Sequence, residues 1–192
     1  MRQLGLSGFG PPAHVQIHRL FFALLPDEAV RERIAATAAM MRDGHAPRGR
    51  WIDARRYHLT LQFLGDFDVL PADVVAAAAR AASQVQAPAF DLPLDRAGGF
   101  AGSHVWWLGC ATMPDGLQRL WTDLGHALAK ARVRTQGSHS LTPHVTVLRN
   151  AAAMLTPTPI APVPWRVREF VLVHSNNPHP YQVLGRWSLP DQ

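Results

Sequence analysis

The sequence is poor in the residues that would tie it to several common chemistries. Cys110 is its only cysteine, so no internal disulfide can form and a cluster of thiolate metal ligands is excluded. It follows the apolar run Val105–Leu108 and reads as a small buried hydrophobe rather than a catalytic thiol. Lys130 is the only lysine, so nearly all the positive charge is guanidinium. Charged residues make up 17%, below the roughly 25% usual in soluble domains. Gly5, Gly8, Gly10, Pro11 and Pro12 break the start, leaving no signal-peptide core, and no apolar run reaches the length of a membrane span. A cytoplasmic, monomeric protein with no membrane contact is expected.

What is present is enough apolar residue to build a core, 47% of 192 residues, and a formal net charge of +5. A basic, arginine-dominated balance suits an anionic partner such as a phosphate ester or nucleic acid. It also fits an arginine-rich proteome with no particular partner.

Residues 1–15 are rich in Gly and Pro without periodicity and read as a flexible extension. Residues 16–192 read as a single domain. Ile17 to Leu25 is a strand, and Pro26-Asp27 opens a helix whose Val30, Ile34, Thr37, Ala38 and Met41 recur at helical spacing. Trp51-Ile52 is a short extended piece. Tyr57 to Leu64 alternates as a strand closed by Gly65-Asp66. Pro71 to Val85 is helical. Phe90 to Leu94 and Val105 to Cys110 read as two strands joined through a turn at Gly98-Gly99. Leu117, Leu120, Leu124 and Leu128 form the stripe of a third helix. Pro143 to Leu148 is another alternating strand, Ala151 to Pro164 a proline-rich connection, and Phe170–His174 and Tyr181–Leu189 the last strands. The order is α+β, with helices packed on sheet.

Two segments stand out. His58-Leu59-Thr60-Leu61 and His144-Val145-Thr146-Val147 share the pattern His-apolar-Thr-apolar. Because strand side chains alternate, each imidazole shares a face with its threonine, and the aliphatic residues take the other. Two imidazoles on opposite sides of a phosphorus can take a proton from water and give one to the leaving oxygen without a metal. The threonine hydroxyls can donate to the non-bridging oxygens, where charge builds. One such strand alone is ordinary, and a satisfied structural histidine is its usual meaning. The recurrence gives the pattern its weight.

The segments HLTLQFLG (His58 to Gly65) and PHVTVLR (Pro143 to Arg149) resemble the 2H phosphoesterase superfamily. Within it they are most similar to the RNA 2′,3′-cyclic phosphodiesterase, or 2′-5′ RNA ligase, family. Arg19–Ala23, Trp51, Trp106–Gly109 and Tyr181–Leu189 extend the resemblance over about residues 18 to 189. It implies two pseudo-symmetric lobes, each a small antiparallel sheet packed by helices, facing across a central cleft. It implies His58 and His144 as catalytic pair, Thr60, Thr146 and Arg149 as phosphate binders, and hydrolysis of a terminal 2′,3′-cyclic phosphate to a 2′-phosphate without metal or cofactor. In the first assignment His144 is the base and His58 the acid; the roles are exchangeable.

Two points depart from that pattern. Gln62 stands where relatives often carry a basic residue. Strict alternation places Arg149 on the face opposite His144, so it reaches the site only if the strand bulges. Phe100 and Trp106 are candidates to stack on a base. Arg55 and Arg56, with Arg48, Arg50, Arg132 and Arg134, are candidates to hold RNA phosphates. His14, His18, His45, His104, His126, His139, His174 and His179 read as structural, and no His-Glu-x-x-His or carboxylate cluster suggests a metal. The partner is RNA with a 2′,3′-cyclic phosphate end, or a small cyclic nucleotide. The alternatives are ATP-independent 2′-5′ joining at the same site, and an RNA-end binding protein without catalysis.

Overall fold

The structure, a computed structural model, describes residues 16–45, 47–136 and 140–191. The expected extension at 1–15, with His14, and His139 lie outside the described residues. The strands are β1 (His18–Leu24), β2 (Arg50–Trp51), β3 (Leu59–Phe67), β4 (Phe90–Phe100), β5 (Val105–Gly109), β6 (His144–Arg149), β7 (Thr158–Val167), β8 (Glu169–Ser175) and β9 (Gln182–Ser188). The helices are α1 (Glu28–His45), α2 (Ala72–Ala82) and α3 (Asp115–Lys130). Asp27 starts α1 by accepting the Val30 amide at 2.8 Å, satisfying one of the helix's orphan donors.

All strands join one antiparallel sheet in the order β7-β4-β5-β6-β3-β1-β8-β9, with β2 on β6. The two expected small sheets are the halves of this one sheet, β7-β4-β5-β6 and β3-β1-β8-β9. They meet at a single register pair, Leu59 with Val145. Each half contributes one His-x-Thr strand to the seam. α1 packs on β7, α3 on β3 and β4, and α2 on α3. One continuous core fills that side, including Leu59, Leu61, Val145, Val147 and the leucine stripe of α3. No helix among the described residues is long and apolar enough to cross a membrane.

Three expectations are corrected. Gly98 and Gly99 are not a turn; they lie within β4 opposite Trp107 and Trp106. A Cβ on Gly98 would meet the Trp107 ring at 2.5 Å, so the glycine makes room for the indole across the ladder. The chain reverses instead at Ala101–Ser103, closed by His104 at φ 50°. Gly65 likewise does not end β3, which continues to Phe67. Residues 158–164 are not a connection but part of β7, in spite of Pro159, Pro162 and Pro164. β7 is an edge strand, where a missing N–H costs the sheet little.

Candidate active site

The paired pattern acts through the seam. Leu59 and Val145 are fully buried on the helix side. Antiparallel register therefore sets His58 against Thr146, and Thr60 against His144, on the opposite face. The two histidines are diagonal neighbours, which in regular sheet geometry stand roughly 7–8 Å apart. A phosphate fits between imidazoles at that separation.

Both rings are held alike. His58 Nδ1 lies 2.8 Å from the Arg56 carbonyl, and His144 Nδ1 lies 2.7 Å from the Thr142 carbonyl. A carbonyl only accepts, so each Nδ1 carries the proton and each Nε2 holds the lone pair. In both cases the carbonyl belongs to the residue two positions earlier. The Tyr181 hydroxyl oxygen stands 3.3 Å from the same His58 nitrogen. Tyr181 and Phe21 flank the His58 ring at 5.4 and 5.1 Å between centroids, and Phe100 meets the His144 ring edge-on at 4.9 Å.

Burial pushes the His58 pKa down to about 4; the carbonyl bond opposes this, and the charges of Arg149, His144 and Arg56 add to it. His144 is lowered too, first by burial and further by Arg149, against its bond to Thr142. Both imidazoles are therefore neutral in the empty cleft at pH 7.

A cleft of about 600 Å³ opens on this face. His58, Thr60, Thr146 and Arg149 line it, along with Arg19, Arg50, Arg56, Phe21, Phe63 and Tyr181. Arg149 gets there by the bulge that alternation demanded. Trp106 pairs with Leu148 but Trp107 with Thr146, so β6 carries an extra residue at Val147. Val147 and Leu148 are both buried, and Arg149 returns to the face of His144. β3 does the same: Phe22 pairs with Gln62 and Ala23 with Thr60. Gln62 thereby turns to α3, donating to the Trp121 carbonyl at 3.3 Å, and Phe63 faces the cleft.

The remaining candidates divide. Phe100 sits by His144, as above. Trp106 does not: it is 2% exposed, in the core, and donates its indole N–H to the Ala153 carbonyl at 2.8 Å. Its neighbour Trp107 lies on the other face of β5, because adjacent strand residues face opposite ways, with its ring 5.4 Å from that of Phe100 and outside the cleft lining. Arg56 lines the cleft, lies over the Tyr181 ring at 4.4 Å and donates to Ser175. Arg55 is turned away and held to Asp53 at 2.7 Å. Arg132 and Arg134 line a separate recess with Leu64 and Val74. His18 and His174 bond each other at 2.9 Å, in keeping with a structural role.

Sequence reading missed Phe63, Tyr181 and Arg19 as cleft residues. For Phe63 a signal existed: it follows His58 by five positions, as Arg149 follows His144. Nothing local marks Arg19, in β1, or Tyr181, just before β9; both arrive from parts of the chain distant in sequence. Among the described residues no group of three or more His, Cys, Asp or Glu is placed to hold a metal ion.

Two sheet halves, each presenting one His-x-Thr strand to a shared basic cleft, define a two-histidine (2H) phosphoesterase. Residues 26–179 match the model of the 2′-5′ RNA ligase superfamily, and the chain belongs to that family. It is 36% identical over 178 residues to the RNA 2′,3′-cyclic phosphodiesterase of Escherichia coli (strain K12), covering 89% of this chain and 96% of that protein. The structure of E. coli LigT in apo form superposes with a TM-score of 0.76 at 33% identity, covering 92% of this chain and 99% of that one. LigT complexed with 3′-AMP gives 0.75 at 34%, covering 90% and 98%.

Proposed function

We propose that this chain hydrolyses the 2′,3′-cyclic phosphate at an RNA end to a 2′-phosphate, with His58 and His144 as its acid–base pair. The observation that carries the proposal is the matched tethering of the two rings. Each Nδ1–H is held by the carbonyl two residues back, which leaves each Nε2 with the lone pair to exchange a proton; His58 lines the cleft with Thr60 and Thr146, and His144 stands beside that lining, against Phe100.

One neutral imidazole takes a proton from water as its oxygen bonds to phosphorus. The P–O3′ bond breaks on the other side, and the second imidazole, protonated in the bound state, gives its proton to O3′. One water is consumed, and the second imidazole regains its proton from the first. The anionic phosphate makes the required imidazolium cheaper, offsetting the burial and guanidinium charges that hold both rings neutral when the cleft is empty. Thr60 and Thr146 donate to the non-bridging oxygens, and Arg149 neutralises the charge they gain. Phe63 offers a face for the terminal base.

The RNA 2′,3′-cyclic phosphodiesterase of E. coli supports this substrate, and membership of the 2′-5′ RNA ligase superfamily also supports the parallel displacement, in which a ribose 5′-hydroxyl replaces water and two RNA ends are joined. One assay reads both. Purified protein is incubated with an RNA oligonucleotide bearing a 2′,3′-cyclic phosphate, in excess chelator, with and without a second RNA carrying a 5′-hydroxyl. A 2′-phosphate product that forms in chelator and is lost in His58→Ala and His144→Ala supports the proposal. A 3′-phosphate product, or turnover surviving both substitutions, rejects it.

A further inference from the structure

We infer that Arg56 is a positioning residue rather than an RNA contact: its guanidinium clamps the segment between β8 and β9 and so holds Tyr181 against His58. This rests on the reaction proposed above and adds to it a residue that acts through the acid–base pair.

A guanidinium offers five N–H donors in one plane and a flat face that stacks on aromatic rings. Arg56 uses both. It donates to the His179 carbonyl at 3.1 Å and to the Ser175 hydroxyl at 3.2 Å, and its face lies over the Tyr181 ring at 4.4 Å. Ser175 ends β8, and Tyr181 directly precedes β9, so the three partners span the whole connection. To reach a phosphate of RNA, Arg56 would have to give up bonds made by a charged donor and uncover Tyr181.

The backbone of the same residue holds the ring beneath. The Arg56 carbonyl accepts from His58 Nδ1 at 2.8 Å. Tyr181 closes the circle. Its ring is edge-on to His58 at 5.4 Å and to Phe21 at 5.7 Å, and its hydroxyl oxygen stands 3.3 Å from the same Nδ1. Among the described residues His144 has no such arrangement: its Nδ1 has the Thr142 carbonyl, and its ring neighbour is Phe100. Tyr181 and Phe21 thus keep water from His58, whose depressed pKa owes most to burial. The charged and titratable groups that face this ring are Arg56 on its own strand's approach, Arg149 and His144 from β6, and Tyr181. Burial pushes the Tyr181 phenol up, so it stays neutral at pH 7.

The test uses Arg56→Met, which keeps the stem and drops the fork, and Arg56→Lys, which keeps the charge. Each is assayed on an RNA oligonucleotide and on a nucleoside, both ending in a 2′,3′-cyclic phosphate, and the His58 ring is titrated by NMR in the free protein. The clamp requires kcat to fall roughly tenfold to a hundredfold, the worth of hydrogen bonds to a charged group, equally on both substrates and with KM unchanged. Lysine should restore little, because an ammonium cannot bridge two acceptors and cover a ring at once. The His58 titration should move toward its ordinary value in both variants, while that of His144, which Arg56 does not touch, stays in place. In a Tyr181→Ala background, Arg56→Met should change kcat by roughly twofold or less, since the two side chains act along one line. A rise in KM for RNA alone, rescued by lysine, makes Arg56 a phosphate contact and overturns the inference. So does a His58 titration that Arg56→Lys leaves unmoved. Wild-type protein that turns over neither substrate removes the proposed reaction, and the titration in the free protein then decides the clamp by itself.

Discussion

Leu59 and Val145 are the one residue pair in register between β3 and β6, and both are fully buried. That pair does two things. It closes the helix-side core across the seam, and it fixes His58, Thr60, His144 and Thr146 on one face in diagonal register. A slip of one residue in either strand would send its histidine into the core. The geometry of the candidate site is thus set by aliphatic packing on the reverse side of the sheet.

In the proposed acid–base pair the two imidazoles divide one proton between them, so removing either should cost about two to four powers of ten in kcat. The division itself is visible with a nucleoside phosphodiester whose leaving group is p-nitrophenolate, which departs without needing a proton. With that substrate, one alanine variant should recover most of its loss and the other should not. The recovered variant lacks the acid. Equal recovery of His58→Ala and His144→Ala, or none in either, would contradict an acid–base pair.

The pH profile of kcat/KM reports the free enzyme. There His58 sits near 4 and His144 below its ordinary 6.5, both lowered by burial and by Arg149. The proposed reaction needs one ring charged and one neutral, so the bell should peak on the acid side of 6.5. Arg149→Gln removes a positive charge felt by both rings. It should move both limbs toward alkaline pH, beyond any loss in rate. A profile that keeps its midpoints in that variant would show that Arg149 does not set the histidines' ionisation.

Much of this site was legible in the chain. His58, Thr60, His144 and Thr146 are legible because period-two alternation and a repeated motif need no tertiary information. The bulge at Val147 was deducible as a condition: Arg149 belongs to the site only if alternation fails. Trp106 and Trp107 were not separable, since two adjacent tryptophans look alike until the strand's phase against the core is known. β7 was hidden by its prolines, which an edge strand tolerates and a central one does not. Arg19, in β1, and Tyr181, just before β9, are far from His58 in sequence, and only the sheet order brings them to the same cleft.

Trp106 and Phe63 should respond oppositely to truncation. Trp106 is enclosed in the core and bonded to Ala153, so Trp106→Ala should cost about 3–5 kcal/mol of stability. The protein that remains folded should keep its KM. Phe63 faces the cleft, and base stacking on an aromatic is worth about 1–3 kcal/mol. Phe63→Ala should therefore raise KM for an RNA end by roughly fivefold to a hundredfold at that same stacking energy. Thermal melts and steady-state kinetics on the two variants check the division. A KM effect in Trp106→Ala with an unchanged melt would restore Trp106 as a base contact.

The depressed histidine also links folding to acid. Unfolded, His58 titrates near its ordinary 6.5; folded, near 4. Above 6.5 both states leave it neutral, and its contribution is fully present. Between the two values the unfolded chain binds a proton that the folded one refuses, so stability falls as pH falls, and the loss is complete below about 4. The difference between the two pKa values corresponds to at most about 3.5 kcal/mol at ~1.4 kcal/mol per pH unit. His144, lowered for the same reason, adds loss in the same direction. Urea unfolding at pH 7 and at pH 4.5 should show a drop in stability that shrinks in His58→Gln and shrinks further when His144→Gln is added. The exposed carboxylates that titrate at lower pH are common to all three proteins and cancel in the comparison. An identical drop in wild type and double variant would mean that neither ring is held neutral by its burial.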